Sequence, residues 1–216
     1  MIFNYIKQGE RRFGDYFKVS HAVATLMNEA FVLKKYKRDK KGNYLCGEYT
    51  IEHDIVRDTA SPKTLRLGGD EKIIFPYAYN KNRLVRYEEY DIKKQFPGAY
   101  NYLEMFKGKL LKRDSDKSAK WYEYGRSQAL SSLNCEKCLI STVISSQFMI
   151  YRLNRECIPY AGMYIIPKAD NAEYTLEDAI RILQSERFKK YVDGIGIHIN
   201  GNSLRITSKD IENYMF

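Results

Sequence analysis

Three groups of residues in this chain have types and spacing that could do chemistry. Asp70 with the run Asp91-Ile92-Lys93 supplies two carboxylates and a lysine. Metal-dependent nucleases use such a set to hold Mg²⁺ and orient water. The spacing is permissive and common by chance, and Tyr87 to Tyr90 lacks the apolar run of a buried strand carrying a metal ligand. Cys135-Glu136-Lys137-Cys138 is a CxxC, but structural zinc needs a second pair or two histidines, and His21, His53 and His198 are scattered. No metal is expected there, and a redox reading lacks a thioredoxin-like context. The pair reads as small residues entering a strand. There is no Ser/His/Asp set, no GxxxxGK[ST] and no glycine fingerprint after a strand, so no nucleotide or S-adenosylmethionine loop is evident. With no consecutive prolines, an Asn-Pro-Pro-Tyr motif is impossible. No catalytic residue and no bound cofactor are expected in this chain.

The third group is the most informative. In LLKRDSDKSAKWYEYGRSQ the only tryptophan, Trp121, is followed by Tyr122, Tyr124, Gly125, Arg126 and Gln128. Arginine pairs bidentately with guanine and Gln with adenine in the major groove. Lys107, Lys109, Lys112, Arg113, Lys117 and Lys120 have the charge to hold phosphates and set register. Bland readings stand beside these. Trp121 and Tyr122 either stack on a base or sugar or belong to the core. Arg126 either reads DNA or forms a structural ion pair with an acidic neighbour such as Glu123.

An amphipathic helix over 99–112 must position this segment: Ala99, Tyr102, Leu103, Phe106 and Leu110 form one apolar stripe after Pro97-Gly98. Residues 1–15 are polar and basic and read as a linker. Residues 30–51 read as a β-hairpin with a turn at Lys41-Gly42-Asn43. Its tip, KKYKRDKK, is either a solvated edge kept soluble by lysines or a phosphate-contacting finger. Residues 54–70 are loop-like, 72–79 is a buried strand that Pro76 ends or kinks, and short strands follow over 137–144, 148–153 and 160–166. A second helix over 176–193 starts at an N-cap, Thr175, with Asp178 three residues on, and stops at Gly194. A turn is expected at Asn200-Gly201.

The 216 residues carry a formal net charge of +9 and 44% hydrophobic residues. That fits a folded domain with a surface able to attract a polyanion. Nineteen tyrosines suggest a large half-wet contact surface and much β structure. Four cysteines make no disulfide framework in a chain this long, and the N-terminal residues lack the apolar run of a signal peptide. A reduced, cytoplasmic protein without a membrane span is expected.

The segment YNYLEMFKGKLLKRDSDKSAKWYEYGRSQAL resembles the Y-x-Y-L-…-K-x-x-L-x-x-R-…-W-Y-…-R stretch of TaqI-like C-terminal target-recognition domains. These belong to bacterial DNA adenine-N6 methyltransferases of restriction–modification systems. FKVSHAVATLMNEAFVL is similar to the family's first strand, with Ala22 where the family usually has Gly, and IIFPYAYN to the strand before the helix. The C-terminal YTLEDAIRILQSERFKKYVDGIGIHINGNSLRITSKDIENYMF is similar to the family's closing segment. The resemblance covers nearly the whole chain. It implies sequence-specific recognition of duplex DNA by residues 16–216, with S-adenosylmethionine binding and methyl transfer in a separate catalytic domain or subunit. It places Trp121, Tyr122 and Arg126 in the recognition segment and Gly201, Asn202, Ser203 and Arg205 in a C-terminal turn. The expected fold is α+β, with mixed, mostly antiparallel short strands and two main helices. The expected DNA-binding set is Lys112, Arg113, Lys117, Lys120, Trp121, Tyr122, Arg126, Gln128, Asn202 and Arg205. A metal-dependent nuclease using Asp70, Asp91 and Lys93 and a protein-interaction module are the alternatives.

Overall fold

The computed structural model describes residues 9–144, 148–170, 173–199 and 203–216. Its strands are short and, apart from one parallel pair, antiparallel, interleaved with short helices in an α+β arrangement. The chain divides into two compact units. The first is formed by Met1–His21, Cys135–Asn154 and Gly162–Phe216, and the second by Ala22–Asn134 and Arg155–Ala161.

In the first unit four antiparallel strands run in the order Phe17–His21, Met163–Pro167, Lys137–Ile140, Ile150–Leu153. Phe13, Phe17, Ile140, Ile165, Leu183 and Phe188 belong to the buried core. Phe13 thus gives the end of the expected 1–15 linker a place in that core, on the short helix Phe13–Tyr16. The helix expected over 176–193 is two helices, Leu176–Leu183 and Glu186–Ile195. Ser185 causes the break: its extended backbone and its hydroxyl, accepting from Phe188 N at 3.1 Å, make it a second N-cap. Gly194 does not stop the second helix, which ends one residue later against an extended Gly196. Thr175 and Asp178 form the expected capping box, and Thr207 with Asp210 repeats it ahead of Ser208–Glu212. The turn expected at Asn200-Gly201 lies outside the described residues.

In the second unit the sheet order is Ile158–Pro159, Val56–Ala60, Glu71–Ile74, Val32–Leu33, with only the first pair parallel. Residues 54–70 are therefore not a loop. They hold the Val56–Ala60 strand and a helix, Pro62–Arg66, whose N-cap Ser61 accepts from Thr64 N at 3.0 Å. The single hairpin expected over 30–51 is also revised. Asn28–Phe31 is a helical turn and Val32–Leu33 joins the main sheet. Only Lys37–Arg38 pairs back onto Tyr44–Cys46, with Tyr49–Ile51 beyond. Pro76 does end a strand: Glu71–Ile74 stops before it, and Tyr77–Asn80 pairs instead with Arg83–Arg86 through Lys81 and Asn82, both at positive φ.

The helix expected over 99–112 is likewise two, Pro97–Glu104 and Lys107–Leu110. The first is fixed at its N-terminus by Glu52, whose carboxylate accepts from Gly98 N at 2.8 Å and Ala99 N at 3.0 Å. A side chain at position 98 would meet Thr50 O at 1.8 Å, so only glycine permits this close seating. Many of the tyrosines act as struts with a bonded tip rather than as an open surface. Tyr79 donates to Leu130 O at 2.6 Å, Tyr122 to Tyr87 O at 3.1 Å and Tyr124 to Ile74 O at 2.8 Å. Burial raises the Tyr124 phenol well above its ordinary pKa, so it stays a donor.

Candidate nucleic-acid interface

Residues 110–128 are wound around two charged hubs, the half-buried Arg113 and the buried Glu123. The Arg113 guanidinium donates to Leu110 O at 3.0 Å, Trp121 O at 2.8 Å, Glu123 O at 2.9 Å and to Thr25 O. Burial lowers its pKa from the usual arginine value. Four of its five N–H donors serve backbone carbonyls, so the guanidinium chiefly holds the path of the loop rather than standing free for the phosphate expected of it. Glu123, 1% exposed, is the second hub. It pairs with Arg86, whose Nε lies 2.8 Å from Oε1, and accepts from Lys120 N at 2.8 Å. Glu123 is thus the partner of Arg86, not of Arg126.

The outward residues sort differently. Tyr122 is buried and bonded at its tip, so it is not available to stack on a base. Trp121 is half-buried. Its Nε1 donates to Glu89 at 2.9 Å, the Lys107 ammonium sits 4.6 Å from its ring centroid, and Tyr100 and Tyr122 pack edge-on. Its ring is a packed part of the loop rather than an open platform. Lys120 pairs with Glu88 at 2.7 Å. Lys112, Lys117 and Gln128 are exposed, and none has an ion-pair or side-chain hydrogen-bond partner among the described residues. Arg126 is half-buried between two carboxylates, Asp114 at 3.0 Å and Asp116 at 3.5 Å. Asp114 is fully exposed, so this pairing is open to water and screened by salt. Asp116 also accepts from Ser127 N at 2.9 Å, and that bond is the main reason its carboxyl lies below the usual carboxylate pKa.

A stronger cationic surface is the hairpin tip. Lys34, Lys35, Lys37, Arg38, Lys40 and Lys41 are all exposed. Among the described residues no carboxylate pairs with any of them, whereas Lys72, Lys107, Lys109 and Lys120 of the same unit are ion-paired. Asp39 stiffens the turn by accepting from Lys41 N at 2.8 Å and Asn43 N at 2.9 Å, with Gly42 at φ +85. Arg38 is folded back, donating to Gly42 O and covering Tyr44 at 4.7 Å.

The first unit presents its own candidate. Val143, Arg205 and Ile197 are register partners across a three-stranded sheet, and all three are exposed. This leaves an arginine between two apolar side chains on one sheet face. The pairing was not visible in sequence because 143, 197 and 205 belong to three separate strands. Asn202 and Gly201 lie outside the described residues.

Asp70, Asp91 and Lys93, the nuclease candidates, stand in different local settings. Asp70 accepts from Lys72 Nζ at 2.7 Å and from Tyr36, while Asp91 lies in the first turn of the helix Glu89–Gln95. Lys93 lies over the Tyr100 ring at 5.4 Å. Among the described residues no three His, Cys, Asp or Glu side chains gather as metal ligands, and no helix is long and apolar enough to cross a membrane. Burial pushes the Cys138 thiol up to about 11, away from a reactive thiolate.

No protein-family model matches the chain. Over 193 residues, 78% of the chain, it is 26% identical to the Type II restriction enzyme and methyltransferase RM.Eco57I of Escherichia coli. The match spans 19% of that enzyme. Among solved structures, the Type IIL restriction–modification enzyme MmeI in complex with DNA matches 91% of the chain with a TM-score of 0.60 at 12% identity. That match covers 24% of the MmeI chain. The protein is thus similar to one segment of an enzyme described as both restriction enzyme and methyltransferase and shares its fold with a segment of a restriction–modification enzyme, spanning about a fifth to a quarter of their lengths.

Proposed function

We propose that this chain is the target-recognition part of an adenine-N6 DNA methyltransferase of a bacterial restriction–modification system, acting in the cytoplasm. It binds duplex DNA and selects the site. Methyl transfer from S-adenosylmethionine belongs to a catalytic segment, on the same or another polypeptide. The observation that carries this reading is the similarity to one segment, 19%, of an enzyme described as both restriction enzyme and methyltransferase.

The side-chain geometry supports a reading surface rather than a reaction centre. Arg126 and Gln128 supply the two side-chain types that pair bidentately with guanine and adenine, on a loop whose path is fixed by Arg113 and Glu123. Lys112 and Lys117 flank that loop, exposed and without carboxylate partners, as phosphate contacts require. Arg205 offers a further guanidinium on the first unit.

The test is selection from a library of duplexes with a randomised centre, followed by Arg126→Ala. Enrichment of a sequence is expected. The variant should lose roughly 5- to 150-fold affinity for the selected duplex, the effect of one bidentate contact, and little on a scrambled one. No enrichment, or equal losses on both duplexes, would refute the reading.

A further inference from the structure

Leu26 stands in a conformation that its residue type resists. Its φ is +55, the left-handed region that glycine enters freely and a branched side chain does not. The other described non-glycine residues at positive φ, Lys81 and Asn82, form a two-residue hairpin turn that requires it. Leu26 stands instead at a single bend closed by the Thr25 hydroxyl, which accepts from Met27 N, and its side chain is 44% exposed.

The surroundings hold this conformation from several sides. Thr25 is fully buried; its carbonyl accepts from Gly125 N at 3.2 Å and from Arg113. Its hydroxyl bonds Asn28 Oδ1 at 2.6 Å and accepts from Met27 N at 3.0 Å. Ala24 O accepts from Arg126 N at 3.1 Å. Beneath the leucine, position 125 has room for nothing larger than glycine: a Cβ there would lie 2.5 Å from Leu26 Cγ and Cδ1. The loop therefore omits a side chain at 125 and places the backbone at 26 in the left-handed region, with the result that a half-exposed apolar side chain lies over Gly125, next to Arg126. A left-handed conformation that the fold over-determines, with a half-exposed leucine presented next to Arg126, marks a candidate position for contact with something else.

We propose that Leu26 packs against the bases of the bound duplex, as the apolar neighbour of the Arg126 contact. Base edges and base steps offer apolar surface, the thymine methyl above all, and leucine is among the side chains that proteins set against it or wedge between steps. The proposal rests on the DNA-recognition reading above.

The test uses L26G and L26N, two residues at ease at positive φ, in the full chain. The probes are the duplex that the wild-type chain selects from the randomised library and a scrambled control. Both variants should melt at or near the wild-type temperature and keep its salt dependence, since no phosphate contact is removed. They should nevertheless lose about ten-fold affinity for the selected duplex, comparable to one lost base contact, and under about two-fold for the control. Wild-type discrimination retained by both variants would overturn the proposal while leaving the recognition reading intact. A loss on the two duplexes alike, matching a fall in melting temperature, would make Leu26 structural and overturn it too. A wild-type chain that selects no sequence would remove both.

Discussion

Replacing Lys34, Lys35, Lys37, Lys40 and Lys41 together by Gln separates the cationic hairpin from the rest of the protein. All five are exposed and have no ion-pair partner among the described residues, so stability should change little. Any change in DNA affinity then comes from counterion release. A duplex lying against one side of the hairpin would meet about half of the five, two or three, since Lys37 is on the strand, Lys34 and Lys35 precede it and Lys40 and Lys41 are in the turn. Each phosphate contact contributes about 0.9 to the slope of log affinity against log salt. Over a four-fold salt range, from about 50 to 200 mM, one contact is worth about 3.5-fold and three about 40-fold. The variant should therefore show a slope shallower by about 2–3 in fluorescence-anisotropy titrations of a labelled duplex, with the largest loss at low salt. Its preference for a selected over a scrambled duplex should be unchanged, because phosphates carry no sequence information. A wild-type slope in the variant would return the hairpin to the role of a solvated edge. Lost discrimination with an unchanged slope would mean that the hairpin reads bases.

Two further outcomes concern the loop itself. Arg113→Met removes four hydrogen bonds, leaving the Thr25 and Leu110 carbonyls with a backbone donor and the Trp121 and Glu123 carbonyls without this one, and should destabilise the protein by about 3 kcal/mol in urea unfolding; a change below roughly 0.5 kcal/mol accompanied by weaker DNA binding would restore it as a phosphate contact. The hydrogen bond from Trp121 holds the Glu89 carboxyl below its ordinary value of 4.5, so its contribution is complete above that pH and is lost as pH falls through the lower folded-state value. Fluorescence of the sole tryptophan should report this acid transition, and an identical titration curve in Glu89→Gln would show that the carboxylate is not its source.

Local signals in the sequence were read at the scale on which they act. Thr175 with Asp178, Pro97 at a helix start and Pro76 at a strand end each depend on neighbours within a few residues, and each appears where expected. The 185 break was equally local, since Ser185 is an N-cap residue, but the apolar stripe running through it masked the signal. The site was legible only in part. Arg113 and Lys112 are adjacent cations, yet one is enclosed and the other exposed. What separates them is Thr25, 88 residues away, whose carbonyl meets the Arg113 guanidinium. Tyr122 and Glu123 turn inward for the same kind of reason, through Tyr87 and Arg86. Leu26 shows nothing in sequence at all, because a backbone angle is invisible until the residues around it are placed.

The Arg113 hub has a consequence for how such a protein changes its preference. Because the guanidinium gathers main-chain oxygens, the course of the loop is set by atoms that every amino acid possesses. On the proposed recognition reading, positions 126 and 128 then become interchangeable sockets on a fixed frame. Altering what stands in them would retune the target without asking the polypeptide to find a new shape, which makes these two positions, rather than 113 or 123, the economical place to begin a redesign.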